Sequence, residues 1–165
     1  MITISSNAGE VFANIQTRLS NIDSKQICMK IAVNVAGEMK QRIHKEGKAA
    51  DGSQIGTYSD GYMKVRTDNF KSKKIVRGAK KGQPRPKYNR TGDTKVIASL
   101  TRQMEDSFKV FPTEKGAAIG WEDDFNFNKS HYVEGTYGKP VWKLAERERE
   151  IANLTANEEI NKVFA

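Results

Sequence analysis

Cysteine occurs once in this chain of 165 residues, at Cys28. A lone thiol cannot form an intrachain disulfide, and this one sits in an apolar helical pattern, where it reads as a small buried hydrophobe rather than a nucleophile. A reducing, cytosol-like compartment is the expectation. Histidine occurs twice, at His44 and His131, and neither stands in a catalytic spacing. His44 is expected exposed at a helix end, and His131 at a loop-to-strand edge. No HExxH, CxxC, GxSxG or phosphate-loop pattern occurs. Glu122, Asp123 and Asp124 are adjacent acids in a polar turn, where solvation is the ordinary reading. The residues therefore point away from an enzyme, and no metal or cofactor is expected.

Long apolar runs are also missing. The hydrophobic fraction is 37%, and no run approaches the roughly 20 residues of a membrane-spanning helix. Met1 to Ser5 lacks the basic, then apolar, build of a signal peptide. No membrane partner is expected.

Acidic residues are scarce in one place. Between residues 64 and 90 the only acid is Asp68. Eleven basic residues fill the same window: Lys64, Arg66, Lys71, Lys73, Lys74, Arg77, Lys80, Lys81, Arg85, Lys87 and Arg90. The window carries +10 and the rest of the chain −2, which together make the net +8. The excess is local. Such asymmetry is the footprint of an electrostatic contact, with phosphate the commonest target. Tyr62, Phe70 and Tyr88 are interleaved and are able to stack or pack. The plain alternative is a solvated loop that does nothing more than keep the chain soluble. Like charges repel, so such a stretch resists folding alone.

Regular structure is expected on either side. Asn7 with Glu10 has capping-box spacing, and Phe12, Ile15, Leu19 and Ile22 follow on one face. Asp23 or Ser24 caps a second helix, in which Ile27, Ile31, Val35, Met39 and Ile43 recur every four residues. It should stop at Gly47. From 47 to 92 seven glycines and two prolines break every period, which predicts an extended arm with a short strand or hairpin near Tyr62–Val65 or Ile75–Val76. Val96, Ile97, Leu100 and Met104 fit a short helix or a strand. Ser107–Phe111 and Ala117–Trp121 read as an antiparallel hairpin. Glu122–Asn128 reads as a polar loop whose Phe125 and Phe127, with Trp142, are candidate interface aromatics. Val141, Trp142 and Leu144 open a C-terminal helical region, with a break at Thr155. The expected fold is one α+β domain over 1–165. Its N-terminal amphipathic helices and a C-terminal helix pack on a small twisted antiparallel sheet, with 47–92 inserted as a glycine-rich basic arm.

The order of these features resembles the tailed-phage virion morphogenesis and tail-completion proteins. A long amphipathic helix leads to Asp51-Gly52-Ser53 and a basic arm. Thr91-Gly92 follows, with Leu100 and Ser107 downstream. After the hairpin come His131-Tyr132-Val133-Glu134-Gly135-Thr136, then Lys139-Pro140-Val141-Trp142 and the last helix. The similarity runs from about residue 27 to 164 and rests on the order of short motifs. The family's Trp after Asp-Gly is missing here, with Ile55 and Tyr58 nearby. Lys139 and Trp142 stand where the family prefers Arg and Phe. The resemblance implies a structural virion protein of the head–tail junction, a neck or tail-completion ring assembled in the host cytoplasm. It implies a homo-oligomer whose arm reaches neighbouring portal, neck or tail proteins, with genomic DNA in the channel a further contact. A basic nucleic-acid-binding protein outside any virion is the other reading.

Overall fold

In the computed structural model the described residues are 8–20, 22–69, 71–88, 92–99 and 101–164. Asn7, Phe70, Arg90, Thr91 and Leu100 lie outside them, and so do the first capping box and part of the Thr91-Gly92 motif. Six helices and one two-stranded antiparallel hairpin are present among the described residues, an α+β arrangement. In chain order they are α1 (Ala8–Ser20), α2 (Ser24–Gln41), α3 (Asp60–Arg66), α4 (Gln103–Ser107), β1 (Phe108–Thr113), β2 (Gly116–Trp121), α5 (Asp124–Tyr137) and α6 (Glu146–Phe164). No helix among them is long and apolar enough to cross a membrane.

Helix α2 is the axis of the core. Asp23 caps it as expected, its carboxylate accepting from the backbone N–H groups of Lys25 and Gln26 at 3.1 Å. The side chain thereby satisfies donors that a helix start leaves unpaired. Val35, Ala36 and Met39 are buried on one face. The helix widens into a π-helical turn, Arg42–Glu46, and ends at Gly47. Gly47 has φ +67, and a Cβ there would lie 2.4 Å from the Val96 carbonyl oxygen, so only glycine fits. In the hairpin Phe108 pairs with Trp121 and Thr113 with Gly116. The hairpin packs against α2 and α5. Helix α6 packs along α2, and α1 touches α6, where Arg18 Nη1 donates to the Phe164 carbonyl at 2.7 Å.

Three expectations are corrected. The stretch after β2 is helix α5 and not a polar loop: Asp123 takes the N-cap, accepting from Asn126 N at 2.8 Å. Its hydrogen bonds from the Ser107 hydroxyl and from the Asn126 side chain and backbone hold its carboxyl down to about 2. Helix α6 runs unbroken through Thr155, which is buried and accepts from Asn34 Nδ2 at 3.0 Å. A threonine hydroxyl with a tertiary partner has no need to cap. His44, finally, is buried at 2% exposure. The π-helical turn rotates it inward, where Nδ1 lies 3.2 Å from the Ile97 carbonyl and the ring packs 5.8 Å from Trp142.

Beside the core lies a buried ion pair. Arg42 Nε donates to Glu148 Oε1 at 2.6 Å and Nη2 to Oε2 at 3.3 Å. The remaining guanidinium donors reach the carbonyls of Lys48, Val141 and Lys143. Glu148 Oε2 also accepts from Ala145 N at 2.5 Å. Removing the guanidinium alone strands a carboxylate that is fully buried. Arg42→Met should therefore cost about 3–5 kcal/mol in urea unfolding, and adding Glu148→Leu should recover part of the loss.

His44 sets a pH dependence. Burial, the largest influence, lowers its pKa below the ordinary 6.5, and Nε2 has no hydrogen-bond partner among the described residues. As pH falls below about 6.5 the unfolded chain takes up a proton that the folded chain refuses, so stability is full above that pH and is lost below it. Melting temperature should fall between pH 7.5 and 5.5, and His44→Gln should flatten that slope. Asp123 titrates well below this window.

Candidate functional site

The arm is two structures joined end to end. Its first third belongs to the core: Ala49, Ile55 and Tyr58 are buried with Ile43, Val96 and Val141. This corrects the expectation that the whole of 47–92 extends away from the body. The glycines there permit a tight path instead of a loose one. At Gly56 a Cβ would meet the Tyr137 ring at 2.4 Å, so the backbone lies directly against that side chain.

The outgoing and returning chains meet at the body. Tyr58 N donates to the Thr94 carbonyl at 2.8 Å and Val96 N to the Gly56 carbonyl at 3.0 Å. The Tyr58 hydroxyl accepts from Ile97 N at 3.1 Å. These bonds close residues 59–93 into a loop with a fixed base. Beyond the base, Ser59 caps α3, which replaces the strand expected near Tyr62–Val65. Past Asp68, at φ +54, the chain turns and forms a small hairpin. Ile75 N donates to the Gln83 carbonyl at 2.9 Å and Arg85 N to the Lys73 carbonyl at 3.0 Å. The reversal uses Gly78 and Gly82, both at positive φ. The expected hairpin near Ile75–Val76 is therefore present.

The cations do not all face outward. Lys64, Lys71, Lys73, Lys74, Arg77, Lys80, Lys81 and Lys87 are exposed. Lys73 lies 3.6 Å from the Asp68 carboxylate, a surface pair. Arg85 is half-buried and donates from Nε to the Ser72 carbonyl at 3.1 Å, which ties the hairpin together. Arg66 is a correction: at 1% exposure it is an internal strut. Its Nη1 donates to the Ser99 carbonyl at 2.8 Å, and its guanidinium lies 4.4 Å from the centre of the Tyr58 ring. Arg90 lies outside the described residues. A charge count cannot separate a strut from a contact, since both are written as Arg.

Of the three candidate aromatics, Phe125 and Phe127 are exposed, at 60% and 47%, on the first turn of α5. Lys129 Nζ sits 4.0 Å from the Phe125 ring centre, and Phe127 meets His131 edge-on at 4.7 Å. Trp142 is corrected to a packing role. It stands edge-on to Trp121 at 4.8 Å and 5.7 Å from Phe108, and its Nε1 donates to the Ser130 carbonyl.

The arm root also joins a second set of residues. Lys139 Nζ donates to Ser53 Oγ at 3.0 Å and to the Gln54 carbonyl, and Ala50 N donates to the Pro140 carbonyl. Glu134 Oε1 accepts from the backbone of Val141 and Trp142 at 2.8 and 3.0 Å. The Asp51-Gly52-Ser53 loop, helix α5 and the Lys139–Trp142 turn thus form one knot beneath the arm. No family model, curated protein or solved structure matches the chain.

Urea unfolding distinguishes the two kinds of cation. Lys80→Glu combined with Lys81→Glu, both on the exposed tip, should change stability by less than about 0.5 kcal/mol. Arg66→Ala should lose about 2–3 kcal/mol, because a buried carbonyl loses a charged donor and Tyr58 loses its cation.

Proposed function

We propose that this chain is a structural assembly protein of the tailed-phage head–tail junction, a subunit of a neck or tail-completion ring, with the basic arm as its assembling element. The observation that carries the reading is the arm itself: helix α3 and a hairpin that together with their flanks bear eight exposed cations, held on a base closed by backbone hydrogen bonds. The body it leaves is slightly acidic, at −2 over the residues outside 64–90. A positive projection on a negative body is self-complementary between copies. A contact of that kind joins two different patches, so it is heterologous and closes into a ring when the rotation allows.

Two further observations support it. Helix α1 exposes Val11, Phe12, Ile15 and Leu19, and α6 exposes Leu154, Ile160 and Phe164. Contiguous exposed apolar residues of this kind mark association surfaces. Three of the short motifs on which the phage resemblance rests, Asp51-Gly52-Ser53, the segment with Glu134 and the Lys139–Trp142 turn, are also joined in space. The second reading, a nucleic-acid-binding protein outside a virion, draws on the same cations.

Mass in solution separates the two. The ring subunit should give a discrete oligomer in the absence of nucleic acid. Replacing Lys73, Lys74, Lys80 and Lys81 by Glu should leave the core folded but abolish assembly. A persistent monomer that binds duplex DNA, with affinity falling steeply as salt rises, overturns the ring in favour of the second reading. Normal assembly by the fourfold variant makes the arm a solvated loop.

A further inference from the structure

The chain has five tyrosines, and all of them, Tyr58, Tyr62, Tyr88, Tyr132 and Tyr137, line one groove of about 720 Å³. The groove opens between the arm root and α5. Two sequence-distant segments of the arm, around Tyr62 and Tyr88, face three turns of α5 across it. The floor is fixed. Tyr58 is held through its hydroxyl by Ile97 N and by the Arg66 guanidinium against its ring, and Tyr137 is seated on the bare backbone of Gly56. Tyr62 and Tyr88 are half-buried, and Tyr132 is 78% exposed, so aromatic faces remain open. The Tyr58 and Tyr62 rings already meet at 4.9 Å, tilted by 45°.

The charged side chains that line the groove have one sign. Arg102 and Lys129 line the groove, and no carboxylate does so among the described residues. Each of the three more open tyrosines has an exposed or lining lysine within three positions in sequence: Lys64 for Tyr62, Lys87 for Tyr88 and Lys129 for Tyr132. Lys64 and Lys87 belong to the arm and are exposed; they adjoin lining tyrosines in sequence but are not themselves part of the lining. One wall carries two of the three non-glycine residues at positive φ among the described residues, Ala98 at +44 and Arg102 at +63. Such backbone geometry is unfavourable and concentrates at functional sites. Burial also pushes the Tyr62 and Tyr137 hydroxyls up, so both rings stay neutral.

We propose that this groove binds single-stranded nucleic acid, with unstacked bases on the tyrosine faces and phosphates on the flanking lysines and Arg102. Stacking surfaces beside a cationic track are the two parts that single-strand binding needs. A duplex keeps its bases stacked inside and offers the groove only phosphate. An acidic peptide satisfies the cations but leaves the tyrosine faces without a planar partner. The proposal stands on the groove and holds whether or not the chain forms a ring.

The test is fluorescence anisotropy with a labelled oligothymidylate of about 12 nucleotides, beside a duplex of equal length in the same salt. The single strand should bind more tightly than the duplex. Tyr132→Ala, at a position exposed enough to spare the fold, should weaken single-strand binding about 5- to 150-fold, leave duplex binding unchanged, and be largely rescued by Tyr132→Phe. Equal affinity for both forms with no effect of Tyr132→Ala overturns the proposal and leaves a non-specific polyanion contact by the arm. Absence of single-strand binding overturns it as well. Displacement of the oligothymidylate by polyglutamate, as effectively as by unlabelled oligothymidylate, overturns it in favour of an acidic protein segment.

Discussion

One guanidinium ties the structure together. Arg42 leaves α2 at the start of the π-helical turn and bonds to four residues in three separate stretches of chain: Lys48, Val141 with Lys143, and Glu148. Those stretches are the first residues of the arm root, the turn before α6, and α6 itself. Two charges taken out of water attract strongly, but their desolvation opposes the gain, so the pair is no simple source of stability. Its value is geometric. Five donors in a fixed plane meet acceptors only in one arrangement of the helices. The wide turn at Arg42–Glu46 serves the same arrangement, since it sends Arg42 toward α6 and His44 toward Trp142 within three residues.

The base of the arm depends on that arrangement. Lys48, held by Arg42, pairs with Gln54, and Ile55 N returns to the Gly47 carbonyl. The returning chain at Val96 closes over the same glycine. The chain then leaves through Tyr58 and α3, where Arg66 locks the exit to Ser99. Two buried arginines thus define the ends of one rigid segment, and the cations beyond it are left to solvent. The knot of Lys139, Ser53 and Glu134 braces the same base from the side of α5.

The elements legible in the sequence are those whose signal is local. The four-residue recurrence from Ile27 to Ile43 marked α2, Asp23 marked its cap, and alternation about the Pro112–Gly116 turn marked the hairpin. Helix α5 was missed because its sequence, Asp124–Tyr137, has almost no apolar periodicity. It is held by the Asp123 cap, by Phe127 packing on Trp121 and by the Trp142 Nε1 hydrogen bond to the Ser130 carbonyl. Thr155 was misread because Thr155 with Glu158 matches a capping box, while the hydroxyl has a partner on α2. The site divided likewise. The charged tip could be counted, but the burial of Arg66 depends on Ser99, 33 residues away. The tyrosine groove joins residues from 58 to 137, so no window of sequence contains it.

The arm's mechanical character decides how it can act. A stretch at +10 with seven neighbouring glycines suggests a tail that orders only on docking, with the ordering entropy set against its affinity. The closed base, α3 and the hairpin bonded from Lys73 to Arg85 change that balance. Much of the conformational loss is met within the chain, and a pre-organised projection binds with less of its interaction energy spent on ordering. The lysines of Lys80–Lys81 remain long and mobile at the tip, which suits an electrostatic approach. Tyr58 and Tyr137 at the root are held in place, which suits a contact of defined shape. Attraction at the far end and selectivity at the near end are therefore separate properties of one arm, joined by the Arg66 strut.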